Sequence, residues 1–339
     1  MDQNSYNRYL RRGSMRASIY HQFGEPSKVL NEEEVVLPSP GVNQVRVKTI
    51  LSPIHNHDLW TVRGTYGHKP NLPAIGGSEA LGIIDAVGDG VKELTLGQRV
   101  VGSPIMGVWA EYFLAPAEIL TIVPDTISDE VGAQLASMPF SALLLLEFLN
   151  AEAGQWIIQN AAGGAIGKTV SILAREQGVN TISLVRNSET EKELTAQGIE
   201  HVVSTANQDW QQSVNELTAG ASISYAIDSV GGAATAALTA LLGENGLLVS
   251  FGSMSGEPMH IPAADIAFKQ ITVKGFWQKK INQSMAVEKR KSMMEKLICL
   301  AETGKLKLPV DVIYPMNDVK NAATASLQSS RKGKVLLRP

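Results

Sequence analysis

A short segment of small residues is the first feature of this sequence that is suited to chemistry. Residues 161–167 read Ala-Ala-Gly-Gly-Ala-Ile-Gly and follow the apolar residues 156–158. Small residues let a ligand approach the backbone closely. If a helix begins here, its unpaired N–H groups and positive dipole end point at that ligand, which suits the pyrophosphate of a dinucleotide. The residues assigned to this contact are Gly163, Gly164, Ala165, Ile166 and Gly167.

An arginine about 20 residues further on favours one dinucleotide over the other. Sites that prefer NAD usually place Asp or Glu after the second strand, where the carboxylate accepts the ribose 2′-OH. Here Val185 is followed by Arg186, Asn187 and Ser188, with no carboxylate. A cation suits a 2′-phosphate, so we predict NADPH as the cofactor and these three residues as ligands of its phosphate. The alternative is a solvated surface arginine.

The elements that must position these residues follow from hydrophobic spacing. Residues 156–158 are a short apolar run typical of a buried parallel strand, and residues 181–185 are predicted to form a second, β-branched strand. Between them, apolar residues recur at i, i+4, i+7 and i+8 from Ile166, which predicts one face of a helix that ends before Gly178. The alternation of strand and helix continues to residue 276. It predicts an α/β fold with a doubly wound, Rossmann-type parallel sheet.

The flanking parts of the chain have a different pattern. Between residues 15 and 127, short strands are separated by glycine and proline, which predicts a mostly antiparallel, barrel-like domain. Residues 128–149 are interpreted as two short helices, with Ser128 as an N-cap and Pro139 as the break between them. Another helix is predicted to begin at residue 189, with Ser188 as its cap.

We predict four segments. Residues 1–14 are a tag-like disordered extension, residues 15–132 and 279–339 form the barrel domain, and residues 133–278 form the NADPH-binding domain.

Composition limits the function classes. The 339 residues carry a formal charge of −3, which gives no basis for a surface that binds nucleic acid. The single cysteine excludes an intrachain disulfide and a cysteine-rich zinc cluster. No apolar run reaches the length that spans a membrane. We expect a cytoplasmic protein without a membrane partner.

This order of parts resembles the medium-chain dehydrogenase/reductase superfamily from Met15 to Pro339. The resemblance implies a GroES-like barrel domain with a Rossmann domain inserted near the middle of the chain. Zinc alcohol dehydrogenases of this superfamily carry a Cys followed by Asp-Leu, and later Gly-His-Glu. At the matching positions this chain has His55 and Ser78, and it lacks the four-cysteine structural lobe. We therefore expect no metal. A cryptic pair of His55 and His57 is an alternative, as are hydrogen-bonded loop histidines.

Among the zinc-free branches, the sequence looks most similar to mitochondrial-type 2-enoyl thioester reductases. Four segments carry this similarity: Arg63-Gly64-Thr65-Tyr66-Gly67, Gln159-Asn160-Ala161, Val185-Arg186-Asn187 and Gly275-Phe276-Trp277. The quinone reductases share the remaining framework and usually lack the aromatic pair. Met138 stands where the closest family members have an asparagine that contacts the cofactor, and this departure puts strict enoyl-thioester specificity in doubt.

The resemblance also implies roles for individual residues. Tyr66 matches the proposed proton donor, and a phenol with a pKa of about 10 is protonated at neutral pH; otherwise Tyr66 anchors its loop. Ser141 stands near the nicotinamide, or caps a helix. Trp277 completes the predicted catalytic set, and with Phe276 it offers flat surfaces to nicotinamide and acyl chain unless the pair only packs. Lys334 matches a lysine near the cofactor phosphate, with a solvent-exposed lysine as the alternative. The other predicted cofactor contacts, at the end of a strand, are Phe251, Gly252, Ser253 and Met254.

Together these expectations describe an NADPH-dependent reductase of α,β-unsaturated carbonyl compounds, with 2-enoyl thioesters as the favoured substrates, and the resemblance implies a homodimer. An NADPH:quinone oxidoreductase is the main alternative. A noncatalytic protein that binds NADPH or RNA is a third interpretation, which the mild acidity disfavours for RNA.

Overall fold

The computed structural model describes residues 13–328 and 331–339, which form two compact units. One unit contains the described residues up to Ser137 together with Ala286–Pro339, and the other is Met138–Met285. Most of the predicted tag-like extension, residues 1–12, lies outside the described residues. Ser14 was also assigned to that extension, and this was wrong. Ser14 opens the first strand and pairs with Val36, so its backbone groups are used in a sheet.

The described residues contain sixteen strands and twelve α-helices. The strands are β1 (Ser14–Tyr20), β2 (Asn31–Val36), β3 (Gln44–Pro53), β4 (Ala74–Ile75), β5 (Ala80–Val87), β6 (Arg99–Gly102), β7 (Tyr112–Pro116), β8 (Leu120–Ile122), β9 (Trp156–Gln159), β10 (Asn180–Val185), β11 (Val202–Ser204), β12 (Ile223–Asp228), β13 (Leu242–Ser250), β14 (Thr272–Gly275), β15 (Val310–Pro315) and β16 (Lys334–Arg338). The helices are α1 (Pro26–Val29), α2 (Asn56–Arg63), α3 (Asp129–Gly132), α4 (Met138–Leu149), α5 (Ala165–Glu176), α6 (Ser188–Ala196), α7 (Trp210–Thr218), α8 (Ala233–Leu241), α9 (Ala263–Lys269), α10 (Gln278–Asn282), α11 (Val287–Glu302) and α12 (Val319–Ser326).

The first unit is built on two sheets. A three-stranded sheet has the order β2-β1-β4, and a seven-stranded sheet has the order β15-β16-β3-β5-β6-β8, with β7 pairing β3. All pairs except β15–β16 are antiparallel, as the barrel-like pattern predicted. Alternate residues of β3, including Val45 and Val47, are fully buried in a core that also contains Ile84 and Phe113. This sheet fixes the position of the loops that follow its strands.

The C-terminal segment adds the strand that matters most for the site. In β16, Leu336 and Leu337 pair antiparallel with Pro53 and Ser52 at the end of β3. The N–H of Ile54 also donates to the carbonyl of Val335 at 3.0 Å. This pairing places the start of β16 beside the residues that lead from β3 into α2.

The second unit confirms the predicted doubly wound sheet. Six parallel strands have the order β11-β10-β9-β12-β13-β14. Its core includes Ile158, Ile182, Ala226 and Leu248, all with 0% exposure. Because the chain runs from β9 to β10 on one side and later adds β12 on the other, the strand order reverses at β9. A crevice for a ligand forms at the carboxyl ends of strands at such a reversal.

Two local assignments differ from the sequence interpretation. Pro139 lies in the first turn of α4, where a missing N–H costs nothing, so it does not break the helix. Asn187, rather than Ser188, is the N-cap of α6, because its side-chain oxygen accepts the Thr190 N–H at 2.8 Å. The prediction that Ser128 caps a helix is confirmed by its bond from the Val131 N–H.

Candidate functional site

The glycine-rich turn between β9 and α5 has the geometry of a phosphate-binding turn. Gly164 is the N-cap of α5 and no side chain caps this twelve-residue helix, so its first N–H groups point outward. A Cβ on Gly167 would lie 2.5 Å from the Cα of Ala162, which makes glycine necessary for this tight turn. Oriented donors and a close backbone fit the pyrophosphate of NADPH.

An amide–carboxylate pair fixes the neighbouring loops. Asn160 follows β9 and donates to Asp228 Oδ1 at 2.7 Å, while its own Oδ1 accepts the Ser229 N–H at 2.8 Å. The same Asp228 oxygen accepts the N–H groups of Val230 and Gly231, each at 2.9 Å. Both side chains are buried. The interpretation of Asp228 as structural therefore agrees with its contacts, whereas its partnership with Asn160 was not predicted.

The predicted phosphate ligands follow β10. Arg186 is exposed, and it lies just beyond the last residue of that strand. Asn187 uses its side-chain oxygen to cap α6. Ser188 is the first residue of the helix and exposed. The structure thus leaves Arg186 as the cationic group of this short segment, and its contact with a 2′-phosphate stays a prediction.

Aromatic residues gather after β13 and β14. The Phe276 ring stacks on Phe251, with centroids 5.6 Å apart, and meets the edge of Phe148 at 5.5 Å. Phe276 is only 6% exposed, so its geometry supports the packing interpretation, whereas Trp277 is 41% exposed. The N–H groups of Phe251 and Gly252 donate to the backbone carbonyl oxygen of Asp228, which holds this loop at the carboxyl edge of the sheet. Contacts of these residues with a cofactor stay predictions.

Three further predicted site residues in the second unit differ in exposure. Ser253 and Met254 are exposed in the loop after β13. Ser141 is buried and lies inside α4, so it is not a helix cap. A role for its hydroxyl near the nicotinamide stays a prediction.

In the first unit, three rings form a stacked column. The Tyr66 ring lies over His57 with centroids 5.7 Å apart, and His57 lies over His55 at 5.0 Å. Tyr66 follows Gly64, which ends α2 in the left-handed conformation with φ of 74°. The Tyr66 N–H donates to the Trp60 carbonyl at 3.2 Å, which ties the loop to the helix. The helix end therefore places the phenol on the face of His57.

A chain of hydrogen bonds orients His57. Its Nε2 lies 2.7 Å from Ser78 Oγ, and that hydroxyl donates to Asp58 Oδ1 at 2.6 Å. Because the serine proton goes to the carboxylate, His57 Nε2 is the donor in the first bond. Asp58 Oδ2 accepts the N–H of His55 at 2.9 Å, which fixes the start of α2. His57 therefore has one defined orientation beneath Tyr66.

His55 bridges a carboxylate and an amine. Its Nε2 lies 2.7 Å from Glu79 Oε2, and its Nδ1 lies 3.0 Å from Lys334 Nζ. Glu79 Oε1 accepts the N–H groups of Ala136 and Ser137 at 2.6 and 2.7 Å. His55 and Glu79 are 1% and 0% exposed. Both histidines are thus hydrogen-bonded, but His55 is the N-cap of α2 and His57 lies in its first turn, so neither is in a loop. Lys334 is partly buried and bonded to His55, which contradicts its interpretation as a solvent-exposed lysine.

Burial governs the protonation of this cluster. It lowers the pKa of His55 well below its ordinary value, and the nearby Lys334 and His57 act in the same direction. Burial also lowers the pKa of His57; Asp58 opposes this shift, and Lys334 adds to it. Burial raises the pKa of Glu79, whereas the backbone N–H groups of Ser137 and Ala136 that it accepts and the Lys334 charge lower it and favour the carboxylate. Burial lowers the pKa of Lys334 to about 8, and Arg331 acts in the same direction. Both histidines are neutral at physiological pH.

The donor set does not suit a metal ion. Within residues 13–328 and 331–339 no group of three or more His, Cys, Asp or Glu side chains could hold one. An ammonium already faces Nδ1 of His55, and Ser78 uses its oxygen in the bonds to His57 and Asp58. In the same part of the chain, no helix is long and apolar enough to span a bilayer.

Comparisons with known proteins identify the family and the fold. The family model "Alcohol dehydrogenase GroES-like domain" matches residues 41–125, and "Zinc-binding dehydrogenase" matches residues 165–295. The mitochondrial enoyl-[acyl-carrier-protein] reductase of Xenopus tropicalis is 31% identical, over 91% of this chain and 90% of its own length. The human protein of the same name is 28% identical, over 98% and 91%. The structure of Escherichia coli quinone oxidoreductase complexed with NADPH superposes with a TM-score of 0.87 at 25% identity, over 96% of this chain and 100% of that one.

The fold and the turn after β9 thus define an NADPH-dependent oxidoreductase. The chain belongs to the medium-chain dehydrogenase/reductase superfamily, in the zinc-independent group of enoyl reductases and quinone reductases. It reduces enoyl compounds or quinones with NADPH.

Proposed function

We propose that the chain reduces the C=C bond of 2-enoyl thioesters. The observation that carries this proposal is the phenol of Tyr66 stacked on a neutral, fully oriented His57. Saturation of an enoyl group needs one proton at the α-carbon, and a positioned phenol supplies it or orients the water that does. The relatives named enoyl-[acyl-carrier-protein] reductase support this substrate class.

NADPH supplies the hydride for the β-carbon when it is bound. The chain's own residues hold the cofactor and exclude water. The N-terminus of α5 would bind the pyrophosphate, and Arg186 the 2′-phosphate. The loop of Phe251, Gly252, Ser253 and Met254 would border the nicotinamide half. Ser141 and Trp277 are proposed to contact the nicotinamide and the acyl group.

In this proposal Tyr66 acts on charge that develops on the substrate. Hydride addition to the β-carbon moves electrons to the thioester oxygen, and donors placed there stabilise the resulting enolate. Because His57 is neutral, it places no positive charge beneath the phenol ring. The phenol therefore stays a proton donor at neutral pH.

Reduction of a quinone is the second candidate function, because the Escherichia coli neighbour carries that name. Parallel turnover of crotonyl-CoA and a benzoquinone at the same NADPH concentration separates the two candidates. Enoyl reduction that is faster than quinone reduction supports the proposal. Negligible enoyl reduction beside fast quinone reduction reverses the assignment.

The test of Tyr66 is the variant Tyr66→Phe. We expect it to lower kcat with crotonyl-CoA by about 100-fold, the scale of one general-acid contribution, while NADPH affinity changes little. Tyr112→Phe is the matched control, because Tyr112 lies on β7 of the same unit beneath Arg46. Unchanged turnover of Tyr66→Phe would remove Tyr66 from the mechanism.

We also propose a homodimer formed through β14. This strand ends the sheet of the second unit, and all four of its residues are exposed. Nearby apolar side chains are uncovered, with Phe268 83% and Val273 39% exposed. An unpaired edge of this kind suits antiparallel pairing with a second copy across a two-fold axis. Sedimentation velocity should show a dimer that Val273→Asp dissociates and Leu217→Asp, an exposed control on α7, does not. A wild-type monomer would contradict the proposal.

The location in the cell stays a prediction. Composition led us to expect the cytoplasm, whereas the names of the enoyl reductase relatives include the word mitochondrial. Imaging of the tagged full-length chain in its own cells would distinguish the two compartments.

A further inference from the structure

Lys334 is placed where its amine cannot act simply as a surface charge. It begins β16, and the pairing of β16 with β3 carries it to the start of α2. There Nζ lies 3.0 Å from His55 Nδ1 and 3.4 Å from the carbonyl oxygen of Ile54. Both partners accept hydrogen bonds when the amine is an ammonium. The amine therefore has a defined protein environment of its own.

The direction of each hydrogen bond follows from this contact. An ammonium has only donors, so His55 Nδ1 must be the acceptor and the ring proton must be on Nε2. Nε2–H then donates to Glu79 Oε2, which must be unprotonated at that oxygen. The other oxygen, Oε1, accepts two backbone N–H groups and is not a proton carrier. The network is thus consistent as an ammonium, a neutral imidazole and a carboxylate.

We propose that Lys334 is a positioning residue, whose ammonium fixes the tautomer of His55 and keeps the stacked pair His55–His57 uncharged beneath Tyr66. This inference rests on the proposed function only for its effect on turnover. It gives Lys334 a role inside the first unit, in contrast to the phosphate contact that the family resemblance implies.

The groups around the amine are consistent with this role. Arg331 precedes β16, and its charge disfavours a second cation nearby. Asp58 and Glu79 supply the compensating negative charge. Burial and the Asp58 charge raise the pKa of Tyr20 to about 12, so that phenol stays neutral. With Lys334 charged, a proton on either histidine would place a second cation in the same buried cluster.

The loss of the ammonium has a predictable consequence. In Lys334→Met, Nδ1 of His55 loses its donor and Glu79 loses its balancing cation. The imidazole is then expected to take up a proton and pair with Glu79. The charged His55 ring would then stack directly against His57, and we expect this to disturb the imidazole on which Tyr66 stacks. Binding of NADPH, in contrast, should be little changed.

The test combines histidine NMR with binding and turnover. In wild-type protein labelled with ¹⁵N-histidine, the His55 ring should be neutral and carry its proton on Nε2 at pH 7. Lys334→Met should convert it to the doubly protonated ring, lower kcat with crotonyl-CoA by about tenfold, and change the dissociation constant of NADPH by less than about threefold. The exposed Lys332 provides the matched control, and Lys332→Met should leave all three measurements unchanged.

Two results would overturn the proposal. One is a wild-type His55 that is already doubly protonated or carries its proton on Nδ1; this spectrum needs no variant and decides the matter if Lys334→Met does not fold. The other is a rise of about tenfold or more in the NADPH dissociation constant with an unchanged His55 spectrum, which would assign Lys334 to the cofactor phosphate. If the wild-type protein does not reduce enoyl substrates, the proposed function is contradicted instead, because the NMR spectrum of His55 does not depend on any substrate.

Discussion

Replacement of Glu79 by glutamine tests the buried network most severely. The side chain is fully buried, and the amide oxygen of Glu79→Gln can still accept the N–H groups of Ala136 and Ser137. Its NH₂ group, however, would face the N–H of His55 across a distance that is now 2.7 Å. If His55 changes tautomer to avoid this, its Nδ1–H faces the Lys334 ammonium instead.

The magnitude follows from these contacts. The variant loses one charge-assisted bond, worth about 1.5–3 kcal/mol. It also leaves the Lys334 ammonium without the carboxylate that balances its charge across His55, and an uncompensated buried charge typically costs about 3–5 kcal/mol in all. We therefore expect the free energy of unfolding to fall by about 3–5 kcal/mol. The double variant Glu79→Gln/Lys334→Met should lose less than the sum of its single variants, because no charge is then left unbalanced.

Urea unfolding followed by fluorescence measures these differences. Glu118→Gln is the matched control, since Glu118 is exposed in the same unit, and it should change stability by less than about 0.5 kcal/mol. A loss below about 1 kcal/mol in Glu79→Gln, or strict additivity in the double variant, would show that the network is not a coupled unit.

Three further predictions address the cofactor turn, the phosphate and the histidines. Arg186→Ala should weaken NADPH binding by about 10- to 100-fold, from roughly 1.5–3 kcal/mol for charged hydrogen bonds to phosphate, and leave NADH binding nearly unchanged in calorimetric titrations. Arg175→Ala, which removes an exposed arginine in the last turn of α5, is the control, and equal losses for both cofactors would contradict the assignment. Gly167→Ala should destabilise the second unit by about 1–3 kcal/mol in calorimetric melting, because its Cβ would overlap Ala162, and an unchanged melting temperature would count against the tight turn. His57 has a lowered pKa in the folded state, so the unfolded chain binds its proton first and stability is lost as pH falls below about 6.5. Relative to His57→Gln, wild-type protein should therefore lose up to about 1.4 kcal/mol per pH unit in urea unfolding between pH 6.5 and 5.5, and a constant difference would refute the lowered pKa.

Local patterns were enough to predict much of the fold. The β9–α5–β10 arrangement follows from an apolar run and a β-branched segment on either side of an amphipathic stretch, and the structure reproduces it. The strand β2 has no comparable local signal, because Glu32, Glu33 and Glu34 hide the pattern of a sheet edge. The N-cap of α6 was predicted one residue too late, at Ser188 instead of Asn187. Asn and Ser are both good caps, and sequence alone does not decide between adjacent candidates.

The candidate site also has one part that could be predicted from local sequence and one part that could not. The phosphate turn is local in sequence, so its glycines could be found from their spacing. The network of His55, Glu79 and Lys334 joins three distant segments, and only the pairing of β16 with β3 brings the last of them into place. The sequence shows a glutamate directly after Ser78, but the burial and the partners of Glu79 depend on tertiary structure.

The most direct measurement of the central claim follows the two hydrogens that are added to the substrate. Crotonyl-CoA is reduced with NADPH that carries deuterium at the transferred position, and separately in deuterated water, and the product is analysed by NMR. The account predicts that cofactor deuterium appears only on the β-carbon and solvent deuterium only on the α-carbon of butyryl-CoA. The absence of butyryl-CoA, with rapid oxidation of NADPH by a benzoquinone in the same preparation, would contradict it.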